Sequence, residues 1–549
     1  MASTDSDRQT AEENKVHPGP DSRPRSRARQ LTVVFSLFLS LFTAALDFTI
    51  TSPAIPSIVA EFHSGSSYAW IGSAYLLSIA ASTPIWGKLS DIWGRKPLLL
   101  AAVAVFFLGS LLCAAAKNMA MFLGGRAVQG GGAGGVFILV NICITDIFEI
   151  RTRGLYLGLT SVVWALACGI GPVIGGALTQ FASWRWNWWI NLPCSALGFV
   201  VPIWLLDLEP NRSSFQSGLK HIDWLGSITI LGVTILILLG LDFGGVTFPW
   251  QSPKVVCLIV FGVFMLVLFI YNEARLAKYP IIPLRLFKRR SNIAALLVCF
   301  CHGFVYISAF YFLPIFFQAV RGSSTLLSGI LILPIAMAQC LTSIATGLVI
   351  KHRGSCREPI WLGLALMALG FGLFIKFDRK ISLVALSFIE AVAGLGVGMN
   401  FQAPLIALQS LVEPKDYATA TATFGFIRNI ATSISVVVGG VIFQNGMQSQ
   451  VLTLQGELGK TVAERFNGRN AEGNIDLIAT LDSGQRHIVQ DAYADALRKL
   501  WIVYVCVAAV GLAASLMVDK RPLPFESKSD LVQDGGEFEV EELQEVVRK

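Results

Sequence analysis

The feature that most constrains this chain is a series of long apolar stretches, each long enough to cross a bilayer as an α-helix. A span takes about 20 apolar residues, and fourteen such stretches lie within the 549 residues. Only 14% of the residues are charged and 54% are hydrophobic, whereas soluble domains carry about 25% charged residues. The predicted helices cover residues 31–51, 69–88, 97–116, 120–145, 155–180, 187–206, 222–242, 254–272, 292–318, 324–350, 358–376, 381–411, 418–445 and 500–518. The sequence therefore predicts an all-α polytopic membrane protein and argues against a water-soluble enzyme.

The net charge of +7 follows from where the basic residues lie. If the N-terminus is inside, the short inner loops carry seventeen Lys and Arg residues and the short outer loops carry seven. Basic residues are retained in cytoplasmic loops, so we expect both termini to be cytoplasmic. Loop topology explains the positive charge better than nucleic-acid binding does, and no nucleic-acid partner is predicted.

Segments of the chain resemble one another when they are shifted by about 260 to 264 residues. The segment Gly87–Lys96 aligns with Gly347–Cys356, Arg126–Gly134 with Glu390–Gly398, and Gly169–Gly176 with Ser433–Gly440. Parallel repeats of six helices flanking a site near the membrane midplane are a known transporter plan. The predicted division is a disordered cytoplasmic tail (1–30), a six-helix bundle (31–206), two linker helices with a basic loop (207–290), a second six-helix bundle (291–518) with an outer loop at 447–498, and a cytoplasmic tail (519–549).

Three motifs resemble those of the major facilitator superfamily. The loop signature is carried by Gly87, Asp91, Gly94, Arg95 and Lys96, the fourth-helix motif by Arg126, Gln129 and Gly130, and the antiporter motif by Gly169, Gly171, Pro172, Gly175 and Gly176. With fourteen spans and the runs Leu46–Pro56 and Trp184–Pro193, the chain is similar to drug:proton antiporters, and Gln402–Gln409 with Phe424–Asn445 is similar to efflux pumps of filamentous fungi. We interpret the loop as a conformational latch, although its cations could instead only enforce topology. The resemblance implies that the fifth helix packs against the opposite half and helps to seal the cavity, and packing without a role in transport direction is the alternative. The second copy of the loop has Lys351 where the first has Asp91, so only the first can supply an acidic gate.

Four charged residues fall within apolar helices, where a charge costs several kcal/mol unless it is paired or hydrated. They are Asp47, Arg126, Glu390 and Arg428. Asp47 either faces water at a helix end or acts within the membrane, and Arg126 is expected to tune a neighbouring carboxylate. Glu390 occupies the repeat position of Arg126 and could carry a proton, and Arg428 could pair with Glu390 or with an anionic substrate.

Polar and aromatic side chains along the same helices could line a substrate cavity. The candidates are Gln129, Tyr306, Gln339, Asn400 and Gln402. Each of them could instead be a core residue. His302 is expected to be a hydrogen-bonded core residue rather than a proton relay.

No phosphate-binding loop for ATP is present, and no metal site or cofactor is predicted. The expected energy source is an ion gradient. The leading expectation is a monomeric proton-driven plasma-membrane exporter of small amphipathic molecules, such as drugs or a metabolite made by the cell. A vacuolar transporter of basic amino acids or siderophores, and a transporter-like nutrient receptor, are the alternatives.

Overall fold

Fourteen helices of the described part of the chain correspond to the predicted spans. The computed structural model describes residues 27–62, 68–206, 218–219, 221–244, 248–413, 416–468 and 470–520. We number the helices α1 Arg27–Ile50, α2 Tyr68–Trp93, α3 Arg95–Ala114, α4 Met119–Ile147, α5 Ile150–Phe181, α6 Asn191–Leu205, α7 Trp224–Phe243, α8 Pro253–Tyr271, α9 Arg290–Ile315, α10 Leu333–Arg353, α11 Arg357–Phe374, α12 Leu383–Asn400, α13 Tyr417–Leu458 and α14 Ser483–Ser515. Twelve are long and apolar enough to cross a membrane, and α2 and α6 complete the predicted fourteen. The predicted all-α membrane architecture is confirmed.

Two faces of this bundle are distinguished by the connections they carry. The turns between α2 and α3, α4 and α5, and α10 and α11 lie at one end, which we call the basic face, and the other end is the opposite face. The predicted tails at 1–30 and 519–549 fall almost entirely outside the described residues, and α1 begins at Arg27 rather than residue 31.

Two helices differ from the expected bounds for identifiable reasons. The stretch predicted as one helix over 381–411 breaks after Asn400 and resumes at Ala403–Gln409, where Pro404 occupies the first turn. The polar segment 447–498, expected as an outer loop, is largely helical because α13 continues to Leu458 and α14 begins at Ser483. Buried residues such as Leu454 and Tyr493 pack these extensions together. A helix satisfies its own backbone hydrogen bonds, so it can continue beyond the bilayer when one face is covered.

The helix contacts of the first half are repeated in the second. Gly130 of α4 lies so close to the Tyr75 carbonyl of α2 that a Cβ would overlap it, and Gly394 of α12 meets the Ile335 carbonyl of α10 in the same way. Close approach through glycine is a common mode of helix packing in membranes. Likewise, Gly132 lies against the backbone of Phe106 in the first half, and Gly396 lies against the backbone of Met367 in the second. The segments that align between the two halves therefore also make equivalent helix contacts.

The linker helices α7 and α8 pack against each other and contact both six-helix groups. Ile230 of α7 and Phe269 of α8 form an apolar cluster with Phe426 of α13. At the opposite face, the Trp70 ring of α2 lies 5.4 Å from the Phe243 ring of α7. The pair is thus attached to α2 near one face and to α13 nearer the other.

An ion pair fixes the chain at the opposite face, outside the spans. Glu61 accepts hydrogen bonds from Trp184 Nε1 (2.5 Å) and Arg185, with a closest ion-pair distance of 2.8 Å to the Arg185 guanidinium. Hydrogen bonds from Arg185 and Trp184 lower the pKa of Glu61.

We predict that this cluster makes stability depend on acid pH. A carboxyl whose pKa is depressed by folding contributes stability above its unfolded pKa, about 4.3, and loses that contribution as the pH falls through the folded pKa. The fall in melting temperature on acidification below about pH 4.5 should therefore be smaller in Glu61→Gln than in the wild type. Glu457→Gln, a carboxyl on the same face with no ion-pair partner among the described residues, is the control, and equal acid slopes in all three proteins would contradict the prediction.

Candidate functional site

A buried ion pair lies inside the first six helices. Asp47 of α1 and Arg126 of α4 are 2.5 Å apart, and their side chains are 0% and 1% exposed. Gln129 Nε2 and Asn191 Nδ2 also donate to Asp47, at 2.8 and 2.7 Å. The sequence left open whether Asp47 faces water, and the structure places it away from solvent among three donor side chains.

Arg126 is held by several groups of the same half. Its Nε donates to the Ile71 carbonyl at 3.1 Å, and its guanidinium lies 4.3 Å from the centre of the Tyr75 ring. Gln129 Oε1 accepts from Arg126 at 2.7 Å and Gln129 Nε2 also donates to Ser110. A buried polar network is stable when its members are hydrogen-bonded. Gln129, which was a candidate for either a substrate cavity or the core, is hydrogen-bonded within this cluster.

The equivalent position in the second half carries a carboxyl with no partner. Glu390 of α12 is fully buried, and neither of its side-chain oxygens has a hydrogen-bond partner among the described residues. Burying an isolated carboxylate costs far more than burying the neutral acid. The two halves therefore differ at one repeat position, which holds a paired cation in the first half and an unpaired acid in the second.

Arg428 does not meet Glu390. Its guanidinium donates to the Phe401 carbonyl and lies 4.6 Å and 4.7 Å from the centres of the Phe401 and Phe424 rings. The Phe401 carbonyl is available because the helix breaks there. The sequence left Arg428 able to pair with Glu390 or with an anionic substrate, and the pairing with Glu390 is absent from this conformation.

An aromatic group lies next to this break. His302 is fully buried, its Nε2 is 3.0 Å from the Val397 carbonyl, and its ring stacks on Tyr306 with centres 5.2 Å apart. Tyr306 in turn packs edge-on against Phe401 at 5.9 Å. This arrangement matches the expectation of His302 as a hydrogen-bonded core residue.

Three amide side chains that were candidates for a cavity lining are buried in the second half. Gln402 Nε2 donates across the contact between the halves to Thr160 of α5 at 3.3 Å. Asn400 Nδ2 donates to the Gly396 carbonyl of its own helix, and Gln339 Oε1 has no partner among the described residues. None of the five predicted cavity residues lines either of the two cavities described below, and both of those lie toward the basic face and the linker helices.

The loop signature forms a contact between halves at the basic face. Arg95 binds Asp91 at 2.7 Å and Asp146 of α4 at 2.8 Å. The other oxygen of Asp91 accepts from Thr419 Oγ1 of α13 at 3.0 Å. Gly94 has φ +91°, a conformation that L side chains rarely adopt, so glycine is required at this turn.

The two remaining residues of the signature also have structural partners. Gly87 faces Ala422 of α13, and a Cβ at this glycine would overlap the alanine side chain. Lys96 Nζ donates to the Ile203 carbonyl near the end of α6 at 2.7 Å. Asp91 and Gly87 thus contact the second half, whereas Arg95 and Lys96 tie the loop to the first.

Helices α5 and α10 approach most closely toward the basic face. A Cβ at Gly347 of α10 would overlap the backbone of Gly154 of α5. Further along, Ser161 Oγ and Ser343 Oγ are 2.9 Å apart. Glycine and serine allow backbone contact between membrane helices, and here they join the two halves.

The antiporter motif of α5 is divided between two neighbours. The Cα atoms of Gly171 and Gly175 lie against Thr49 and Ile50 of α1, which belongs to the same half. Gly169 faces Leu333 of α10, and an added Cβ would meet it at ordinary contact distance. Pro172 lies within the continuous helix, and Gly176 has only Pro53 nearby. The expected packing against the opposite half is therefore made mainly by Gly154 and Ser161, outside the motif.

Most of the hydrogen bonds described between the two halves lie on the basic-face side of the bundle. Besides those above, Asn429 of α13 donates to Thr83 of α2, and Gln409 bonds to Thr145 of α4. Arg153 donates to Gln409 Oε1, and its guanidinium lies 4.5 Å from the centre of the Tyr417 ring. The structure thus shows the halves closed together at the basic face.

Comparison with known proteins identifies the family. The model of the Major Facilitator Superfamily matches residues 37–436. The chain belongs to the major facilitator superfamily. It is therefore a multi-pass membrane transporter of small molecules and not an enzyme, as the sequence predicted.

Several fungal relatives of this major facilitator are named as efflux pumps. Efflux pump dotC of Dothistroma septosporum is 48% identical over 491 residues, which is 89% of this chain and 84% of the relative. Efflux pump FUS6 of Gibberella fujikuroi is 37% identical over 442 residues, 80% of each chain. Among solved structures, the human organic anion transporter MFSD10 (TETRAN) has a TM-score of 0.56 and 16% identity, covering 87% of this chain and 99% of that one. The sequence relatives confirm similarity to fungal efflux pumps, and the structural likeness shows the fold.

Two residues of the buried cluster were missed by the sequence reasoning. Asn191 and Ser110 both hydrogen-bond within it. Asn191 precedes Leu192 and Pro193 in a tryptophan-rich run, and a lone amide at the start of an apolar helix was the available signal. Ser110 is one hydroxyl in an apolar helix, and nothing in its local sequence sets it apart from other small packing residues.

Proposed function

We propose that this transporter is a proton-coupled exporter of small amphipathic molecules that works by alternating access between its two six-helix halves. The basic face is cytoplasmic in this proposal, because the excess of Lys and Arg lies there. The membrane is the plasma membrane and the chain acts as a monomer. The relatives that are named efflux pumps support export as the direction of transport. With the basic face cytoplasmic, closure at that face corresponds to the outward-facing state of the transport cycle.

The observation that carries the proposal is the buried Asp47–Arg126 pair. A proton arriving from the outer side would neutralise Asp47 and remove the charge partner of Arg126. Breaking a buried pair costs about 3 to 5 kcal/mol, enough to change which conformation of the bundle is favoured. Because Asp47 lies on α1 and its partners lie on α4 and α6, the neutralisation would loosen three helices of one half together.

Glu390 is the second acid in the proposal. It lies in the other half at the repeat position of Arg126 and has no partner among the described residues. Glu390 could carry a proton or only fill space, and a substitution distinguishes these two roles. If Glu390 only fills space, Glu390→Gln should keep full proton-coupled export, whereas a proton-carrying Glu390 requires that export fall.

The proposed coupling is tested in membrane vesicles with a pH gradient. Transport of an amphipathic dye that the wild-type chain carries should collapse when a protonophore dissipates the gradient, since each charge moved supplies about 2.3 kcal/mol per 100 mV. Transport that continues undiminished would refute proton coupling while leaving transport itself intact.

We predict that the latch at the basic face sets the balance between the two access states. Thr419→Val removes the hydrogen bond to Asp91 but keeps the volume of the side chain. A hydrogen bond contributes about 1 kcal/mol, so the equilibrium should shift about fivefold toward opening at this face. We expect increased labelling of a cysteine placed at Thr160 by a membrane-impermeant maleimide added from the basic face.

The matched control for this variant is Thr432→Val. Thr432 also lies on α13, but its hydroxyl donates only to the Asn429 carbonyl of the same helix. Equal labelling in both variants would show that the Asp91 contact does not stabilise the closed state.

A further inference from the structure

An apolar crevice lies between the linker helices and α13. It has a volume of about 470 Å³. Its lining includes Ile230 and Val233 of α7, Phe269 of α8, and Phe426 and Ile430 of α13. The two threonines in its wall, Thr234 and Thr423, donate their hydroxyl protons to carbonyls of their own helices, Ile230 and Thr419. The crevice therefore offers no free hydrogen-bond donor to an occupant from these hydroxyls.

The dimensions of the crevice suit a lipid chain. It runs along α13 from Thr423 to Ile434, about 16 Å at 1.5 Å per residue, and half of a 30 Å hydrocarbon core is about 15 Å. Its rim includes Ile270 and Phe287, which are 48% and 36% exposed. The crevice is thus open at its edge and as deep as one leaflet.

A charged cleft continues from the crevice at the basic face. It has a volume of about 1330 Å³, and Leu284 lines both cavities. The cleft is lined by five basic side chains, Lys88, Arg95, Lys278, Arg285 and Lys288, and by four acidic ones, Asp91, Asp146, Glu273 and Asp416.

Three acidic groups of this cleft are paired with arginines, and the fourth, Glu273, is hydrogen-bonded through one oxygen while its Oε2 has no partner among the described residues. Asp91 and Asp146 bind Arg95, and Asp416 binds Arg285 at 2.5 Å. Glu273 Oε1 accepts from the backbone amides of Ile281 and Ile282 at 3.0 and 3.3 Å. The three lysines form no ion pair with a carboxylate among the described residues. The cleft therefore has one more basic than acidic side chain, and the cations without an ion-pair partner are its lysines.

We propose that the crevice and the cleft together hold an anionic phospholipid of the bilayer, with one acyl chain between α7, α8 and α13 and its phosphate facing Lys278 and Lys288. The continuous passage from apolar walls to unpaired lysines matches the order of chain and headgroup in a phospholipid. An amphipathic substrate entering from the leaflet would need the crevice but not the lysines, so the basic residues distinguish the two occupants. The site does not depend on the direction or the coupling of transport.

The test uses the full-length protein in phosphatidylcholine nanodiscs. These contain a small fraction of phosphatidylserine or phosphatidylcholine that carries a photoreactive diazirine in the acyl chain, and labelled peptides are mapped by mass spectrometry. A lysine near the membrane surface strengthens anionic-lipid binding about fivefold. We expect phosphatidylserine to label peptides of α7 and α13 at least about fivefold more than phosphatidylcholine does.

Two variants separate the headgroup from the chain. Lys278→Ala with Lys288→Ala should reduce labelling by phosphatidylserine to the phosphatidylcholine level, and Ile427→Trp should fill the crevice and reduce labelling by both lipids. The matched controls are Lys376→Ala with Lys380→Ala at the opposite face and Leu341→Trp on the exposed side of α10, and neither should change labelling of α7 and α13.

The proposal is overturned if both lipids label α7 and α13 equally, or if removing the two lysines leaves phosphatidylserine labelling unchanged. Because the lysine variant alters only exposed side chains, it remains a valid test even if Ile427→Trp does not fold. Proton coupling could fail in the vesicle assay while lipid labelling succeeds, so the two proposals can be judged separately.

Discussion

Replacing Asp47 by Asn should abolish transport driven by a pH gradient, with a loss of about a hundredfold or more. An amide keeps the shape of the side chain but cannot take up a proton. The roughly 3 to 5 kcal/mol associated with breaking the buried pair can then no longer be supplied by protonation, and this energy sets the size of the loss. The measurement is gradient-driven dye transport in vesicles, set beside dye exchange at equal pH on both sides. We expect exchange at equal pH to survive better than gradient-driven transport, because binding and closure do not require the proton.

Instability of the variant can be distinguished from loss of coupling. Asp47→Asn leaves the Arg126 charge buried without its carboxylate, whereas Asp47→Asn with Arg126→Gln removes both charges and should recover stability without recovering gradient-driven transport. Glu61→Gln is the matched control, because Glu61 also pairs with an arginine but at the surface, where side chains are 30% and 43% exposed. Proton-driven transport by the double variant at the wild-type rate would exclude Asp47 as the coupling residue.

The second large effect is expected from Gly347→Val. A side chain at this position would overlap the Gly154 backbone of α5, so α5 and α10 could not close at the basic face. We expect transport to fall about 5- to 150-fold, because overpacking a close contact costs about 1 to 3 kcal/mol and that energy opposes one state of the cycle only. A cysteine placed at Thr160 should become more reactive toward an impermeant maleimide added at the basic face.

Gly124→Val is the control for this experiment. Gly124 also lies in a membrane helix, and a Cβ there would meet nothing within 4 Å. Both variants lose one helical glycine and gain the same β-branched side chain, so they differ only in the neighbour. A Gly347→Val protein that transports and labels like Gly124→Val would show that this approach is not part of the closed state.

The sequence was sufficient for the helices and their order because membrane spans leave a strong local signal. Hydropathy located the fourteen spans, and the aligned segments Arg126–Gly134 and Glu390–Gly398 contain Gly130 and Gly394, which the structure places against equivalent partners. The extension of α13 to Leu458 was not predicted, since residues 447–458 are polar on one side and their apolar residues are covered only after α14 folds back. Hydropathy averages over a helix and does not show which face a distant segment covers.

The site could be predicted only in part, because a charged residue within an apolar stretch is visible in the sequence but its partner is not. Asp47 and Arg126 stood out as costly residues in lipid, yet the distance between them in sequence gave no indication of a 2.5 Å contact. Arg428 and Glu390 stood out equally, and they are not paired. The role of Gln129 stayed open between a cavity and the core, because polarity in a helix does not distinguish a substrate contact from a hydrogen bond to a buried acid.

The position of the linker helices has a mechanical consequence. They touch α2 through Trp70 and Phe243 at the opposite face, and α13 through Ile230 and Phe426 on the basic-face side. A rigid rotation of one half against the other moves these two attachment points in different directions, so it cannot preserve both contacts. We expect the two linker helices to act as a brace between the halves, so that the amplitude of opening depends on how far these contacts can shear.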